Sequence, residues 1–307
     1  SDIQPDGVLH AALLRSRHVH AVIKSVDTSV AESMEGVKAV VTRDQLLGQF
    51  DDRVRYYGDV IAAVAATTPE LAIKAADSII PILESLPSVH DPKQAIRSGS
   101  PKVHDVNNPD FGQHGRHEFT VDNVEYVQNI DDYHYVHIGD VEQGFLEADF
   151  VFEHEYISPR VNPCNLDTHC TIAEWDGDTV VFTETLGAPS RSRDEIADLL
   201  GMPHDKVRVV MPPVISSSFG ARSVPQLSFE PVAATLSREV GGSPIKLWFD
   251  REEEFTATDH RHQTSYNIKM GITSKGMITA AKIDLVADTG AYPNGVGHIV
   301  LSNGLSR

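Results

Sequence analysis

Cysteine is scarce in this chain of 307 residues: Cys164 and Cys170 are the only two. Two thiols cannot build a disulfide framework or a four-cysteine iron-sulfur site. Basic side chains are outnumbered, 26 Lys and Arg against 44 Asp and Glu, which leaves a net charge of -18. Such a field repels phosphate backbones, and no local basic patch offsets it, so nucleic acid is not an expected partner. Long apolar runs are missing as well. Nothing approaches the roughly 20 residues that span a bilayer, and the start Ser1-Asp2-Ile3-Gln4-Pro5 has neither the basic residues nor the apolar stretch of a signal peptide. The expectation is a cytoplasmic chain without a membrane span. No Gln-, Ser- or Pro-rich tract occurs, and neither a Walker A nor a Rossmann glycine spacing is present. What remains is 41% apolar and 23% charged residues, the composition of a folded chain long enough for a real core.

Apolar patterning predicts an α/β (α+β) chain. Residues 7–15, 21–26 and 37–42 read as strands, and residues 60–66, Val-Ile-Ala-Ala-Val-Ala-Ala, form a continuous apolar run of the kind found in buried strands. Thr68 as N-cap, Pro69 at the first helical position and Glu70 in the first turn predict a helix continuing through Leu71, Ala75, Ala76 and Ile79. Residues 98–111, rich in Gly, Pro, Asn and Ser, predict a linker. Beyond it, residues 139–145 suggest a capped helical turn. Asp176-Gly177 marks a hairpin, and Ser190 or Ser192 is expected to cap a helix ended by Gly201. A further helix is expected at Phe229, Val232, Ala233, Leu236 and Val240. Strands are expected at 245–249, 266–272 and 278–285.

Several side chains could carry chemistry. The loop 214–222 reads Val-Ile-Ser-Ser-Ser-Phe-Gly-Ala-Arg, almost wholly small residues between a strand and a helix. Small side chains let backbone approach a ligand closely, yet the same composition suits an ordinary connection. His114, His117, His134 and His137 form i, i+3 pairs, but glycines and polar residues flank them, so surface histidines are expected rather than a metal site. No protein-ligated metal is assigned. Cys164 and Cys170 beside His169 are expected as buried thiols rather than a redox pair. Glu252, Glu253 and Glu254 are expected as a solvated first helical turn.

Five segments, in order along the chain, carry a resemblance. They are Gly7-Val8-Leu9-His10-Ala11-Ala12-Leu13-Leu14-Arg15-Ser16, Val54-Arg55-Tyr56-Tyr57-Gly58-Asp59-Val60-Ile61-Ala62-Ala63-Val64, Leu166-Asp167-Thr168-His169-Cys170-Thr171-Ile172-Ala173, Arg251-Glu252-Glu253-Glu254-Phe255 with Arg261-His262, and Asp288-Thr289-Gly290-Ala291-Tyr292. Together they resemble the large molybdopterin-binding subunit of the xanthine dehydrogenase, aldehyde oxidase and carbon monoxide dehydrogenase family. In that family the loop matching residues 216–222 usually reads Gly-Gly-Gly-Phe-Gly-Gly-Lys. Here Phe219-Gly220 keeps its core, three serines and Ala221 replace glycines, and Arg222 keeps the positive charge.

The resemblance implies that residues 1 to about 110 form a hammerhead-type α/β domain and residues 111–307 the first part of a molybdenum-cofactor domain. It implies that Ser218, Phe219, Gly220, Ala221 and Arg222 contact molybdenum-molybdopterin, and that Ser223 meets substrate where purine-oxidising members carry a glutamate. A glutamine of xanthine dehydrogenases falls near Val161, with Asn162 one place on. The implied activity is hydroxylation of an aldehyde, an N-heteroaromatic or a related small molecule with oxygen from water. Electrons would leave through [2Fe-2S] clusters and FAD on an iron-sulfur subunit and an FAD subunit, in an oligomer. The general base and the remaining half of the cofactor domain are expected beyond Arg307. No catalytic residue is therefore assigned within the chain, which is expected to be inactive alone. The serine-rich loop and the missing glutamine leave an alternative, a non-catalytic scaffold or binding paralogue without the cofactor.

Overall fold

The structure, a computed structural model, describes residues 2–48, 50–104, 119–121, 124–126, 129–130, 135–214, 217–222, 226 and 228–292. In chain order the elements are β1 (Leu9–Arg15), β2 (Ala21–Asp27), α1 (Ser29–Glu32), β3 (Val37–Thr42), β4 (Arg53–Val54), β5 (Val60–Ala66), α2 (Pro69–Asp77), β6 (Ile80–Ser85), α3 (Pro92–Ala95), β7 (Phe119–Val121), β8 (Val124–Tyr126) and α4 (Val141–Leu146). They continue with β9 (Phe150–Ser158), β10 (Cys170–Asp176), β11 (Thr179–Glu184), α5 (Pro189–Leu200), β12 (Val207–Val210), α6 (Glu230–Glu239), β13 (Ile245–Trp248), α7 (Arg251–Thr256), β14 (Thr264–Ile272) and β15 (Ile278–Ala287).

The chain gathers into two compact units, residues 1–87 with 162–259, and residues 88–161 with 260–307. This grouping follows the chain differently from a division near residue 110. The reason is strand pairing: β1 runs parallel to β13, with Leu9 opposite Ile245 and Ala11 opposite Leu247. One seven-stranded sheet, ordered β12-β11-β10-β13-β1-β5-β3, thus draws on both ends of the first unit. β5 is buried at all seven positions, as a continuous apolar run between two partner strands should be. Thr68 caps α2 by accepting from the Leu71 N–H, with Pro69 in the first turn. Phe182, Ile196, Val232, Leu236, Ile245, Leu247 and Phe249 fill the core beside the sheet. A smaller sheet, β4-β2-β6, completes the first unit.

In the second unit β9, β14 and β15 form an antiparallel sheet, and Gly144 of α4 lies against Thr279 and Ala280. The linker expected at 98–111 falls from 105 onward outside the described residues. One local expectation needs correction. α5 is not capped by Ser190 or Ser192: its N-cap is Ala188, Pro189 starts the helix, and Ser192 is buried within it. Proline's fixed φ and missing donor suit the first turn without a side-chain cap. Among the described residues no helix is long and apolar enough to cross a membrane.

Candidate functional site

The loop expected to meet a ligand closes into a tight turn. The Ala221 N–H donates to the Ser218 carbonyl at 3.0 Å, and the two central residues, Phe219 and Gly220, have φ of 48° and 101°. Two consecutive positive φ values are the pattern of a type I′ turn. Glycine adopts that region freely, whereas a bulky residue held there stores strain of order 1–3 kcal/mol. Phe219 directs 74% of its surface to solvent, and a side chain placed at Gly220 would meet nothing within 4 Å. One side of the turn is therefore open backbone flanked by an apolar ring. Leu166, 89% exposed, belongs to the same rim, since its N–H donates to Ser217 Oγ at 3.4 Å.

The other side of the turn is tied down. His169 immediately precedes β10 and is buried. Its Nδ1 faces both carboxylate oxygens of Glu254 at 2.9 and 3.0 Å, and its Nε2 lies 3.1 Å from the Ala221 carbonyl oxygen. The His169 backbone N–H also donates to Glu254, at 2.9 Å. The rings of Phe229 and Phe249 pack around the imidazole, and the Gln226 amide lies 3.4 Å from Nε2. Arg222 turns inward: its guanidinium donates to Asp167 Oδ2 at 3.0 Å and to the carbonyls of Asp167 and Thr168 at 2.9 and 3.1 Å. The Arg222 N–H donates to Ser218 Oγ at 3.2 Å, and the Arg222 carbonyl accepts from the Gly187 N–H at 2.7 Å. The side chain of Asn165 is buried among these segments, and among the described residues neither its amide nitrogen nor its oxygen has a hydrogen-bond partner.

Acidic side chains surround this base. Asp250 caps α7 through a capping box with Glu253, which places Glu254 on the inward face, while Glu253 pairs with Arg15 at 2.7 Å. Burial alone would push the Glu254 carboxyl up. The hydrogen bonds and charge of His169 overcome that and hold it below the usual carboxylate range. Among the described residues, Glu184 at the end of β11 and Glu230 at the start of α6 form no ion pair with a cation. Burial pushes Glu184 up to about 8. Burial, together with the nearby charge of Glu184, also raises Glu230 well above its ordinary value, and the Gln226 N–H donates to it at 2.8 Å.

Of the residues expected to form the site, Ser218, Phe219 and Gly220 lie along the turn, and Ala221 and Arg222 are buried beneath it; Ser223 and Ser216 fall outside the described residues. Of the glutamates expected as a solvated turn, Glu252 is exposed, Glu253 is half-buried against Arg15, and Glu254 is only 1% exposed and bound to His169. Cys164 is exposed rather than buried, and Cys170 is half-buried; both are free thiols. The Asn162 amide donates to the Glu254 carbonyl at 3.2 Å and its oxygen accepts from the Cys164 N–H at 2.7 Å, and Val161 pairs through its backbone with Arg261. His137 is exposed, while His114, His117 and His134 lie outside the described residues. His169 and Glu254 are the functional candidates that local sequence signals pass over.

The profile of the molybdopterin cofactor-binding domain matches residues 123–307. That of the aldehyde oxidase and xanthine dehydrogenase a/b hammerhead domain matches residues 1–80. The chain belongs to this molybdopterin-binding family. It is 33% identical to a probable xanthine dehydrogenase component of Bacillus subtilis over 95% of its own length and 38% of that protein's. It is 30% identical to the nicotinate dehydrogenase large molybdopterin subunit of Eubacterium barkeri, covering 94% of this chain and 65% of that one. The aldehyde oxidoreductase of Desulfovibrio gigas shares its fold at a TM-score of 0.77 with 22% identity, over 93% of this chain and 31% of that one. The carbon monoxide dehydrogenase of Oligotropha carboxidovorans superposes at 0.76 with 26% identity, over 92% and 36%. The chain thus spans between about a third and two thirds of the length of these proteins.

The residues present fit the cofactor that the family name describes. The turn offers backbone with open space over Gly220 and small residues on its approach, and it is braced from the opposite side.

Proposed function

We propose that this chain is part of a molybdenum hydroxylase that hydroxylates an aldehyde, an N-heteroaromatic or a related small molecule with oxygen from water. The observation that carries the reading is the turn at Ser218 to Ala221, strained at Phe219, open over Gly220 and anchored beneath. Ser218, Phe219 and Gly220 would hold the molybdopterin on the open side, while Ala221 and Arg222 hold the loop. Bound molybdenum would supply two-electron redox chemistry at the substrate carbon. The part of this chain is to present fixed backbone donors and an apolar rim, Phe219 with Leu166, that suits a small or flat uncharged substrate. Ser223 follows in the chain as the substrate-facing position.

Two free thiols cannot hold an iron-sulfur cluster, so [2Fe-2S] clusters and FAD are assigned to partner chains or domains of an oligomer, and the general base to the remaining half of the cofactor domain. Free thiols also suit a reducing, cytoplasmic setting. The boundary near residue 110 is proposed as one between modules, supported by matches on either side of it at 1–80 and 123–307.

The test is elemental molybdenum and pterin content of the purified assembly. Gly220→Leu places its Cβ within 4 Å of no described atom but is strained at φ 101°, a local cost of about 1–3 kcal/mol. It should abolish incorporation while far-UV circular dichroism stays unchanged. Full molybdenum in that folded variant, or none in the unmodified assembly, refutes the reading.

A further inference from the structure

Phe219 sits at a positive φ that a phenylalanine avoids, and its ring gains no burial in return. A strained backbone persists only when its surroundings over-determine it. The hydrogen bond within the turn, Ala221 N–H to Ser218 O, is one that alternative turns would also make. The next carbonyl, that of Ala221, points into the protein, 3.1 Å from His169 Nε2 and 3.5 Å from the Gln226 amide nitrogen. His169 cannot follow a wandering loop. It is buried, hemmed by Phe229 and Phe249, and gripped by Glu254 both at Nδ1 and at its own backbone N–H.

We propose that His169, braced by Glu254, is a positioning residue that fixes the Ala221 carbonyl and so sets the exposed Phe219-Gly220 backbone for ligand contact. The inference rests on the function proposed above for what the ligand is, but not for the coupling between His169 and the loop. The Glu254 carboxylate orients the ring, Nε2 carries the restraint outward to Ala221, and Arg222 locks the following residue to Asp167 and Thr168. The loop thereby inherits the rigidity of the seven-stranded sheet through β10, the strand that follows His169.

Two near-isosteric replacements separate positioning from simple structural support. Asparagine places its amide nitrogen near the position of Nδ1, so His169→Asn keeps a bond to Glu254 and loses Ala221. Glutamine reaches the position of Nε2, so His169→Gln keeps the bond to Ala221 and loses the side-chain bond to Glu254 while the backbone one remains. Hydrogen exchange of the full chain is followed at the Ala221, Arg222 and Gly187 amides, all of which are bonded in or to the loop, with β5 amides as the internal reference. His169→Asn should speed exchange at the loop by about tenfold or more relative to β5. His169→Gln should keep loop exchange near the wild-type rate even if its melting temperature falls further. Loop exchange unchanged in His169→Asn, or rising in both variants in step with global stability, overturns the proposal. If His169→Gln fails to fold, Glu254→Gln replaces it: the shape and the Nε2 contact with Ala221 are kept while the charge bracing the ring is lost. Loop exchange should then stay near the wild-type rate, and a rise of about tenfold relative to β5 counts against the proposal. If His169→Asn fails, His169→Ala, which also loses Ala221, takes its place with the same expected rise. Molybdenum content is measured in parallel. Its absence from the unmodified assembly would sink the functional reading and leave the exchange rates to decide the role of His169.

Discussion

Glu254 and Glu184 lie in the same compact unit with 1% and 3% of their surface exposed, yet their carboxyl groups are pushed in opposite directions. Glu254 is held low because an imidazole meets both its oxygens. Burial pushes Glu184 up to about 8, with Glu230 nearby and, among the described residues, one oxygen without a partner. The desolvation of a buried carboxylate costs several kcal/mol in either place; what differs is whether hydrogen bonds from a facing ring offset it. The matched carboxylate holds the loop proposed to meet the cofactor. The unmatched pair is better suited to carrying protons than charge, and its effect on the fold should depend on pH in the opposite sense.

The strongest way to break the contrast is to make Glu254 resemble Glu184. His169→Leu removes the partner and leaves a buried acid alone, which should destabilise the protein by about 3–5 kcal/mol, measured by urea unfolding at neutral pH. A loss below about 1 kcal/mol would show that His169 does not compensate Glu254. The next test concerns Glu184. Its folded-state pKa is raised, so the protonated native form contributes stability that is complete below the unfolded value near 4.5. That contribution is lost progressively as pH rises to about 8. Glu184→Gln should flatten this slope: little change in melting temperature near pH 5, and a gain of about 1–3 kcal/mol over the wild type at pH 9. Equal pH profiles for the two proteins would remove Glu184 from the account.

How far such a site can be read from sequence depends on the range of the interaction. The apolar run of β5, the Thr68-Pro69 start of α2 and the Asp176-Gly177 hairpin are written in neighbouring residues, and each appears where local rules place it. The Phe219-Gly220 turn is legible as a loop of small residues, though not as strained, because φ depends on what anchors the loop. Glu254 escapes local rules for a physical reason: an acid in a first helical turn satisfies the dipole whether it faces water or protein. The partner that decides between these, His169, lies 85 residues earlier in the chain. The Ala188 start of α5 is hidden because two serines nearby offer better side-chain caps than the proline that starts the helix. Division near residue 110 follows composition, whereas the pairing of β1 with β13 follows a register between segments more than 230 residues apart.

The contrast can also be sharpened on the acid side. Because the Glu254 pKa is depressed, the stability it contributes is present above its unfolded value near 4.5 and is lost as pH falls through the lower folded value. Glu254→Gln should therefore be less stable than the wild type at pH 7 by about 1–2 kcal/mol, with the gap narrowing towards pH 3. Thermal unfolding across that range tests it. A gap that stays constant with pH would assign the loss to packing rather than charge.

The smallest effect is expected on the open side of the loop, where no buried carboxylate is involved. Phe219 holds its positive φ without burying its ring, so the strain should be recoverable. Asparagine tolerates the left-handed region far better than phenylalanine because its short polar side chain can bond locally. Phe219→Asn should raise stability by roughly 0.5–1 kcal/mol, since exposure of the ring means that little packing is forfeited. A loss of stability would show that the ring packs on something that its exposure conceals. If the functional proposal holds, the same variant should impair turnover in the complete assembly, because the apolar rim is gone while the backbone is more at ease. A variant that is more stable and fully active would remove Phe219 from the site and leave Gly220 and the backbone as its only outward-facing part.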